Sequence, residues 1–240
     1  AATIRVLTYN IHHGEGMDGQ IDIERIAQVI HQTEADLVAL QEVDRGVERS
    51  NRVDQPARLA ERTGLHAVFE KNIDCQGGEY GNAVLSRLPV ERYQNHRLPK
   101  FLANEQRGLL EVHVRVAGQK LVFFATHLDH GPDDGERIAS VAVLQELVEQ
   151  QGDAPVIVAG DLNAVPDSRV IAETMVFLAG ASAGGREFEV TYPADKPARR
   201  IDYVLYNRHP GLKCVDLRVI PEPVASDHRP VLAVFTVAAD

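Results

Sequence analysis

The chain has 240 residues, 44% of them hydrophobic, enough to bury a full core as one large domain over residues 1–240, with no linker long enough to divide it. A net charge of -10 and a pI near 5.5 exclude a protein that holds nucleic acid through a general basic surface, though not one that cuts a phosphoester. No window approaches the ~18 consecutive apolar residues of a membrane span, and a secreted protein would have lost its leader, so the compartment is open between cytoplasm and exterior.

Thr3 to Tyr9 alternates loosely and ends in Asn10-Ile11-His12-His13-Gly14, so a strand opens the chain and delivers polar groups at its end. As neighbours in a strand, only one of His12 and His13 can face a site. After a glycine-rich loop to Gln20, Asp22 caps an amphipathic helix with Ile23, Ile26, Ala27 and Ile30 at helical spacing. Asp36 to Gln41 reads as a second apolar strand, with Glu42 at its end. A short helix near Pro56 to Thr63 stops at Gly64, His66 to Glu70 is a strand, Cys75 to Gly81 a loop, and Asn82 to Arg87 a strand again.

Leu109 to Val116 and Lys120 to Thr126, joined at Gly118, form a hairpin whose second strand ends in His127-Leu128-Asp129-His130. A helix from Asp133 or Asp134 carries Ile138, Val141, Leu144 and Val148 on one face and ends at Gly152. Val156 to Ala159 is a short apolar run behind Pro155 that stops at Gly160-Asp161-Leu162-Asn163, as a strand covered on both faces would. By themselves Asp161 and Asn163 fit a turn as well as a site. A helix over Asp167 to Leu178, a Gly/Ser-rich loop to Gly185, and strands Ile201–Tyr206, Leu212–Val219 and Val231–Val237 complete the chain.

The two halves match: strand, Asn/His cluster, helix, strand ending in an acid, first through Asn10 and Glu42, then through His127 and Asp161. The pattern predicts an α/β chain folded as a four-layer αββα sandwich of two mixed sheets with an internal pseudo-twofold. The polar groups at the strand ends are carboxylates, amides and imidazoles with no thiolate, which suits Mg²⁺ or Mn²⁺, and no zinc-type spacing is present. Cys75 and Cys214 are two free thiols or one bridge. Ser226-Asp227-His228 holds the residue types of a serine hydrolase, but sequence neighbours cannot form the relay on one face, and no glycine-flanked nucleophile elbow supports it.

The ordered set Asn10, Gln41-Glu42, Thr126-His127, Gly160-Asp161-Leu162-Asn163, Ile201-Asp202-Tyr203 and Ser226-Asp227-His228 resembles the endonuclease/exonuclease/phosphatase superfamily, and it spans nearly the whole chain. The resemblance implies a metal-dependent phosphoesterase in which Glu42 is the principal metal ligand, with Asn10 and Asp227 beside it. It further implies a catalytic set of Asp161, Asn163, His127, His228 and Asp202. His228 is oriented by Asp202, either Asp161 or His228 serves as base, and Asn163 and His127 bond the phosphoryl oxygens. Nuclease members often carry an acid where this chain has His12, a departure that shifts metal preference toward Mn²⁺ or a transition metal. His12, Asn82, Asp129, Arg45, Arg107 and Arg200 are candidates for the substrate pocket. Twenty of the 25 basic residues are Arg, whose fork suits phosphate, although a GC-rich genome gives the same excess.

The expected activity is phosphodiester hydrolysis by an activated water, with DNA cleavage or phosphomonoester hydrolysis as the alternatives and a catalytically silent phosphate-binding protein as the contrasting class. The expected partner is a phosphoester: a small phosphodiester, a phospholipid headgroup or nucleic acid. No obligate protein partner is evident.

Overall fold

The computed structural model describes residues 1–101, 104–182 and 189–238. In chain order these form β1 (Ala2–Asn10), α1 (Ile23–Thr33), β2 (Leu37–Arg45), α2 (Gln55–Thr63), β3 (His66–Cys75), β4 (Gly78–Ser86), β5 (Arg92–Arg97), β6 (Gly108–Val116) and β7 (Gln119–His127). There follow α3 (Gly135–Glu149), β8 (Val156–Asp161), α4 (Arg169–Phe177), β9 (Ala179–Gly180), β10 (Asp202–Tyr206), β11 (Leu212–Val219) and β12 (Val231–Val237). The strands make two six-stranded sheets, ordered β11-β12-β1-β2-β4-β3 and β5-β6-β7-β8-β10-β9. Among the described residues no helix is long and apolar enough to cross a membrane, and Cys75 and Cys214 are both free.

The layering follows from the two-residue period of the strands. In β1, Ile4 and Val6 enter the core between the sheets, while Leu7 and Tyr9 pack with Ile26 and Ile30 of α1. In β8, Ile157 and Ala159 face the other sheet, while Val156 and Val158 meet Val141 and Leu144 of α3 and Ile171 of α4. Strands buried on both faces read as unbroken apolar runs, which is why Val156 to Ala159 carries no alternation. Helices cover the outside of each sheet, giving the αββα sandwich.

The pseudo-twofold is present in the pairing. β1 and β2 run parallel across α1, and β7 and β8 run parallel across α3, with Asn10 beside Gln41 and His127 beside Asp161. Antiparallel neighbours flank each central pair, β12 and β4 in one sheet and β6 and β10 in the other. The carboxyl ends of both pairs therefore open onto one edge of the sandwich.

Local signals set most boundaries. Asp22 caps α1 by accepting from Arg25 N, and Asp54 caps α2 by accepting from Ala57 N. Gly64 ends α2 in the left-handed region. Three expectations need correction, and one strand is added. Cys75 to Gly81 is a tight hairpin, not a loop: Gln76 and Gly77, at φ 44° and 79°, join Cys75 directly to Gly78. Arg92–Arg97 is the added strand, β5, at a sheet edge, paired on one side with β6. His12 and His13 lie in a 3-10 turn after β1, both at φ 45°, so the strand rule that only one can face the site does not apply. Glu42 does not end its strand, which runs on to Arg45. Positions 183–185 of the predicted Gly/Ser-rich loop lie outside the described residues.

Candidate active site at the strand ends

Asp161 stands at the centre of the open edge. It shares the inward face of β8 with Ile157 and Ala159, and it pairs with His127 on β7 and Asp202 on β10, so three polar side chains form a row across one sheet. Gly160 allows the strands to come this close, since a Cβ there would lie 2.1 Å from the Thr126 carbonyl oxygen. From the other sheet, Asn10 lies on the inward face of β1 beyond Ile4 and Val6. Its side-chain nitrogen donates to Asp161 Oδ2 at 3.1 Å and to Glu42 Oε1 at 3.0 Å, linking the two sheets.

Glu42 reaches that position through a bulge. Val38 and Leu40 point toward the helix layer, and strict alternation would send Glu42 the same way. The pairing of β2 with β4 instead slips between Leu40 and Val43, with Glu42 at φ 59°, and Val43 resumes the helix-facing row. The inserted residue re-aims the carboxylate into the cleft.

His228 follows Ser226, which is anchored by a hydrogen bond from its hydroxyl to the Asn10 carbonyl oxygen at 2.7 Å. His228 Nδ1 donates to Asp202 Oδ2 at 2.9 Å, and its Nε2 lies 3.7 Å from Asp161 Oδ2 and 4.0 Å from Asp227 Oδ1. Thr191 donates to the same Asp202 oxygen at 2.5 Å, and the Tyr192 ring rests 4.9 Å from the imidazole. Burial works against a charge on His228, but the carboxylates of Asp202 and Asp161 outweigh it and raise its pKa to about 10. Burial first, then the charge of Asp202, pushes Asp161 up to about 7.

His127 is tuned the opposite way. Arg107, itself buried, donates to His127 Nδ1 at 3.0 Å and to His130 Nδ1 at 3.1 Å. An arginine only donates, so His127 accepts at Nδ1 and carries its proton on Nε2, 3.5 Å from Asp161 Oδ2. Burial, then the charges of Arg107 and His228, hold His127 well below the usual imidazole range. Asn163, at φ 47°, returns its backbone N–H to Asp161 Oδ1 at 2.9 Å. The Asn163 side-chain nitrogen lies 3.1 Å from His127 Nε2 and also donates to the Leu128 carbonyl oxygen.

The structure thus brings together Asn10, Glu42, His127, Asp161, Asn163, Asp202, Asp227 and His228, with His12 Nδ1 3.9 Å from Asp227 Oδ1. The other pocket candidates have partners of their own. Asn82 donates to the Gly108 carbonyl oxygen, Asp129 accepts from Gly131 N, Arg45 is tied to Glu79 over the Phe69 ring, and Arg200 lies over Tyr203. Sequence reasoning did not single out Thr191 and His13 for the site. Thr191 has no motif around it, and His13 was set aside by the strand rule.

Among the described residues, two groups of three side chains place ligand atoms within 4.8 Å of one another: His12, His13 and Glu42, and Asp161, Asp202 and His228. The second group is occupied by its own hydrogen bonds. The first has unused capacity, because His13 Nδ1 is buried and has no partner among the described residues. Residues at this edge therefore fit a divalent cation, with Glu42 as the carboxylate.

Residues 7–228 match the Endonuclease/Exonuclease/phosphatase family. The chain is 31% identical over 172 residues to the uncharacterized protein YbhP of Escherichia coli K12, covering 67% of either chain. It superposes with a TM-score of 0.79 on an endonuclease/exonuclease/phosphatase from Beutenbergia cavernae, at 27% identity over 99% of this chain and 72% of that one. It also superposes with a TM-score of 0.79 on the mannosyl-6-phosphatase Bt3783 of Bacteroides thetaiotaomicron, over 97% and 99% of the two chains. At 18% identity that second likeness concerns the fold alone. The fold and the family model support a hydrolase, and the open edge holds residues that could bind a divalent metal. The chain belongs to the endonuclease/exonuclease/phosphatase family, whose members are phosphoesterases and nucleases.

Proposed function

We propose that the protein is a divalent-metal-dependent phosphodiesterase that hydrolyses its substrate by in-line attack of water. The observation that carries this reading is the convergence on Asp161 of Asn10, Asn163, His127 and His228, each with a nitrogen 2.9–3.7 Å from one of its carboxylate oxygens. Asp161 is the base: a carboxylate with a pKa near 7 works best close to neutral pH. His228, held cationic by its carboxylates, cannot take that proton and offers Nε2–H to the phosphoryl group, while Asp202 fixes its orientation. Asn163 Nδ2 and His127 Nε2–H are two donors 3.1 Å apart, and an anionic oxygen approaching both from the cleft side could accept from each.

Glu42 would hold the cation, with Asn10 and Asp227 at its side, and Mg²⁺ or Mn²⁺ suits that oxygen set. When bound, the metal supplies charge stabilisation on the phosphoryl oxygens. Arg107 and Arg200 add buried positive charge near the site, whereas a chain of net charge -10 favours a small phosphodiester or a phospholipid headgroup over nucleic acid. The test is hydrolysis of bis-p-nitrophenyl phosphate against p-nitrophenyl phosphate with Mg²⁺, Mn²⁺ or EDTA, beside Asp161→Asn. Metal-dependent diester turnover lost in the variant supports the reading. Preference for the monoester would make the protein a phosphatase, and phosphate-ligand binding with no turnover of synthetic or natural esters would make it a silent binding protein.

A further inference from the structure

We infer that His12 and His13 are nitrogen ligands of the cation held by Glu42, so that the site takes a first-row transition ion, Mn²⁺ included, in preference to Mg²⁺. Ligand atoms of the three side chains lie within 4.8 Å of one another. Ligands about 2.1 Å from a common ion stand roughly 3–4 Å apart, so small torsional shifts close them onto one centre.

The hydrogen bonds of the two imidazoles give each a defined free lone pair. His12 Nδ1 lies 3.3 Å from the Glu15 carbonyl oxygen, which only accepts, so the proton stands on Nδ1 and the lone pair on Nε2. His13 Nε2 lies 3.2 Å from the Glu15 carboxylate, which likewise only accepts, so the lone pair stands on Nδ1. That Nδ1 is buried with no partner among the described residues, and His13 is 7% exposed. A buried acceptor left unpaired is costly unless something occupies it. Glu15 thus serves both rings in the way outer carbonyls and carboxylates orient metal-bound histidines.

The backbone holds the set in place. His12 and His13 are both at φ 45° and Glu42 is at φ 59°, a region that residues with a side chain seldom adopt. Buried Gln55 at the start of α2 clamps the two segments together: its side-chain nitrogen donates to the His13 carbonyl oxygen at 2.7 Å, and its oxygen accepts from Asp44 N at 2.9 Å. His12 N is fixed in turn by Asn10 Oδ1 at 3.0 Å. Imidazole suits transition ions, whereas Mg²⁺ keeps oxygen and water ligands, so two nitrogens beside one carboxylate shift the preference.

This inference rests on the proposed reading only in that both place the cation on Glu42, and its test needs no turnover. The full chain, stripped with chelator and reloaded with Mn²⁺, is examined by pulsed electron paramagnetic resonance for coupling to imidazole ¹⁴N, and Mn²⁺ and Mg²⁺ affinities are measured by calorimetry. The expected result is imidazole coupling in the wild type that weakens in His12→Gln and His13→Gln. Mn²⁺ affinity should fall on the order of 10–100-fold in each variant and in Glu15→Ala, with Mg²⁺ affinity moving far less. Circular dichroism of the metal-free variants identifies misfolding, and His12→Gln, at a position one-third exposed, carries the test if His13→Gln does not fold. Wild-type Mn²⁺ without nitrogen coupling, or undiminished Mn²⁺ affinity in folded His12→Gln, overturns the site. Turnover with Mg²⁺ that is lost in Asp161→Asn would then leave the phosphodiesterase standing without it.

Discussion

Asp202 and His228 meet through Nδ1 at 2.9 Å, and that contact turns the other nitrogen of the same ring, Nε2, toward Asp161. An amide at position 202 would keep the shape and remove the charge that holds His228 protonated. Asp202→Asn should therefore lower kcat on bis-p-nitrophenyl phosphate by about 10²–10⁴-fold with little change in KM. Far-ultraviolet circular dichroism should be unaltered. A variant with wild-type kcat would remove His228 from the chemistry.

The two site histidines should titrate on opposite sides of neutrality in the metal-free protein. His228, raised to about 10, stabilises the fold fully below its unfolded value near 6.5, and that stabilisation is lost as pH rises through about 10. His127, depressed well below 6.5, contributes stability that is present above 6.5 and is lost as pH falls toward its folded value. Replacing His228 with Gln should flatten the alkaline decline in Tm, and replacing His127 with Asn should flatten the acid decline. Imidazole ¹H–¹³C spectra should show His228 still protonated at pH 8 and His127 still neutral at pH 6. Two rings titrating together near 6.5 would contradict the environments described here.

Much of this site lies open in the sequence because its residues end apolar runs. Val156 to Ala159 leads into Asp161, and Leu121 to Thr126 leads into His127, so counting to the end of the strand finds the group. Glu42 is found by its motif although period-two reasoning gives it the wrong face, since only the bulge brings it inward. His13 is hidden because a non-glycine residue at positive φ leaves no mark in composition. Arg107 and Thr191 act through His127 and Asp202, contacts set by packing between segments 20 and 11 residues apart. β5 escapes notice because an edge strand in solvent needs no alternation.

Gly160 is a steric requirement of the site. A methyl group there would press on the Thr126 carbonyl oxygen at 2.1 Å, backbone against backbone, where no side chain can swing aside. Gly160→Ala should force β7 from β8, cost about 1–3 kcal/mol in urea unfolding, and displace Asp161 from His127. Turnover should fall further than stability alone explains, because catalytic groups tolerate little misplacement. A fully active Gly160→Ala protein of unchanged stability would show that the strands separate freely and that the glycine serves no such purpose.

Metal binding should be visible as stability in the absence of any substrate. A cation that binds only the folded chain stabilises it by about 2.7 kcal/mol at one hundred times its Kd. For a domain of this size that corresponds to a rise in Tm of roughly 5–10 °C. Glu42→Gln removes the carboxylate charge that the bulge delivers to the cleft, while Asn10 can still donate to the amide oxygen, so the metal-free fold should survive. Its Mn²⁺-induced rise in Tm should nearly vanish, and Asp227→Asn should reduce the rise by less, because Asp227 lies toward the solvent side of the site, with a quarter of its side chain exposed. If Glu42→Gln keeps the full metal-induced shift, the cation is held elsewhere, and neither Glu42 nor the histidines beside it are its ligands.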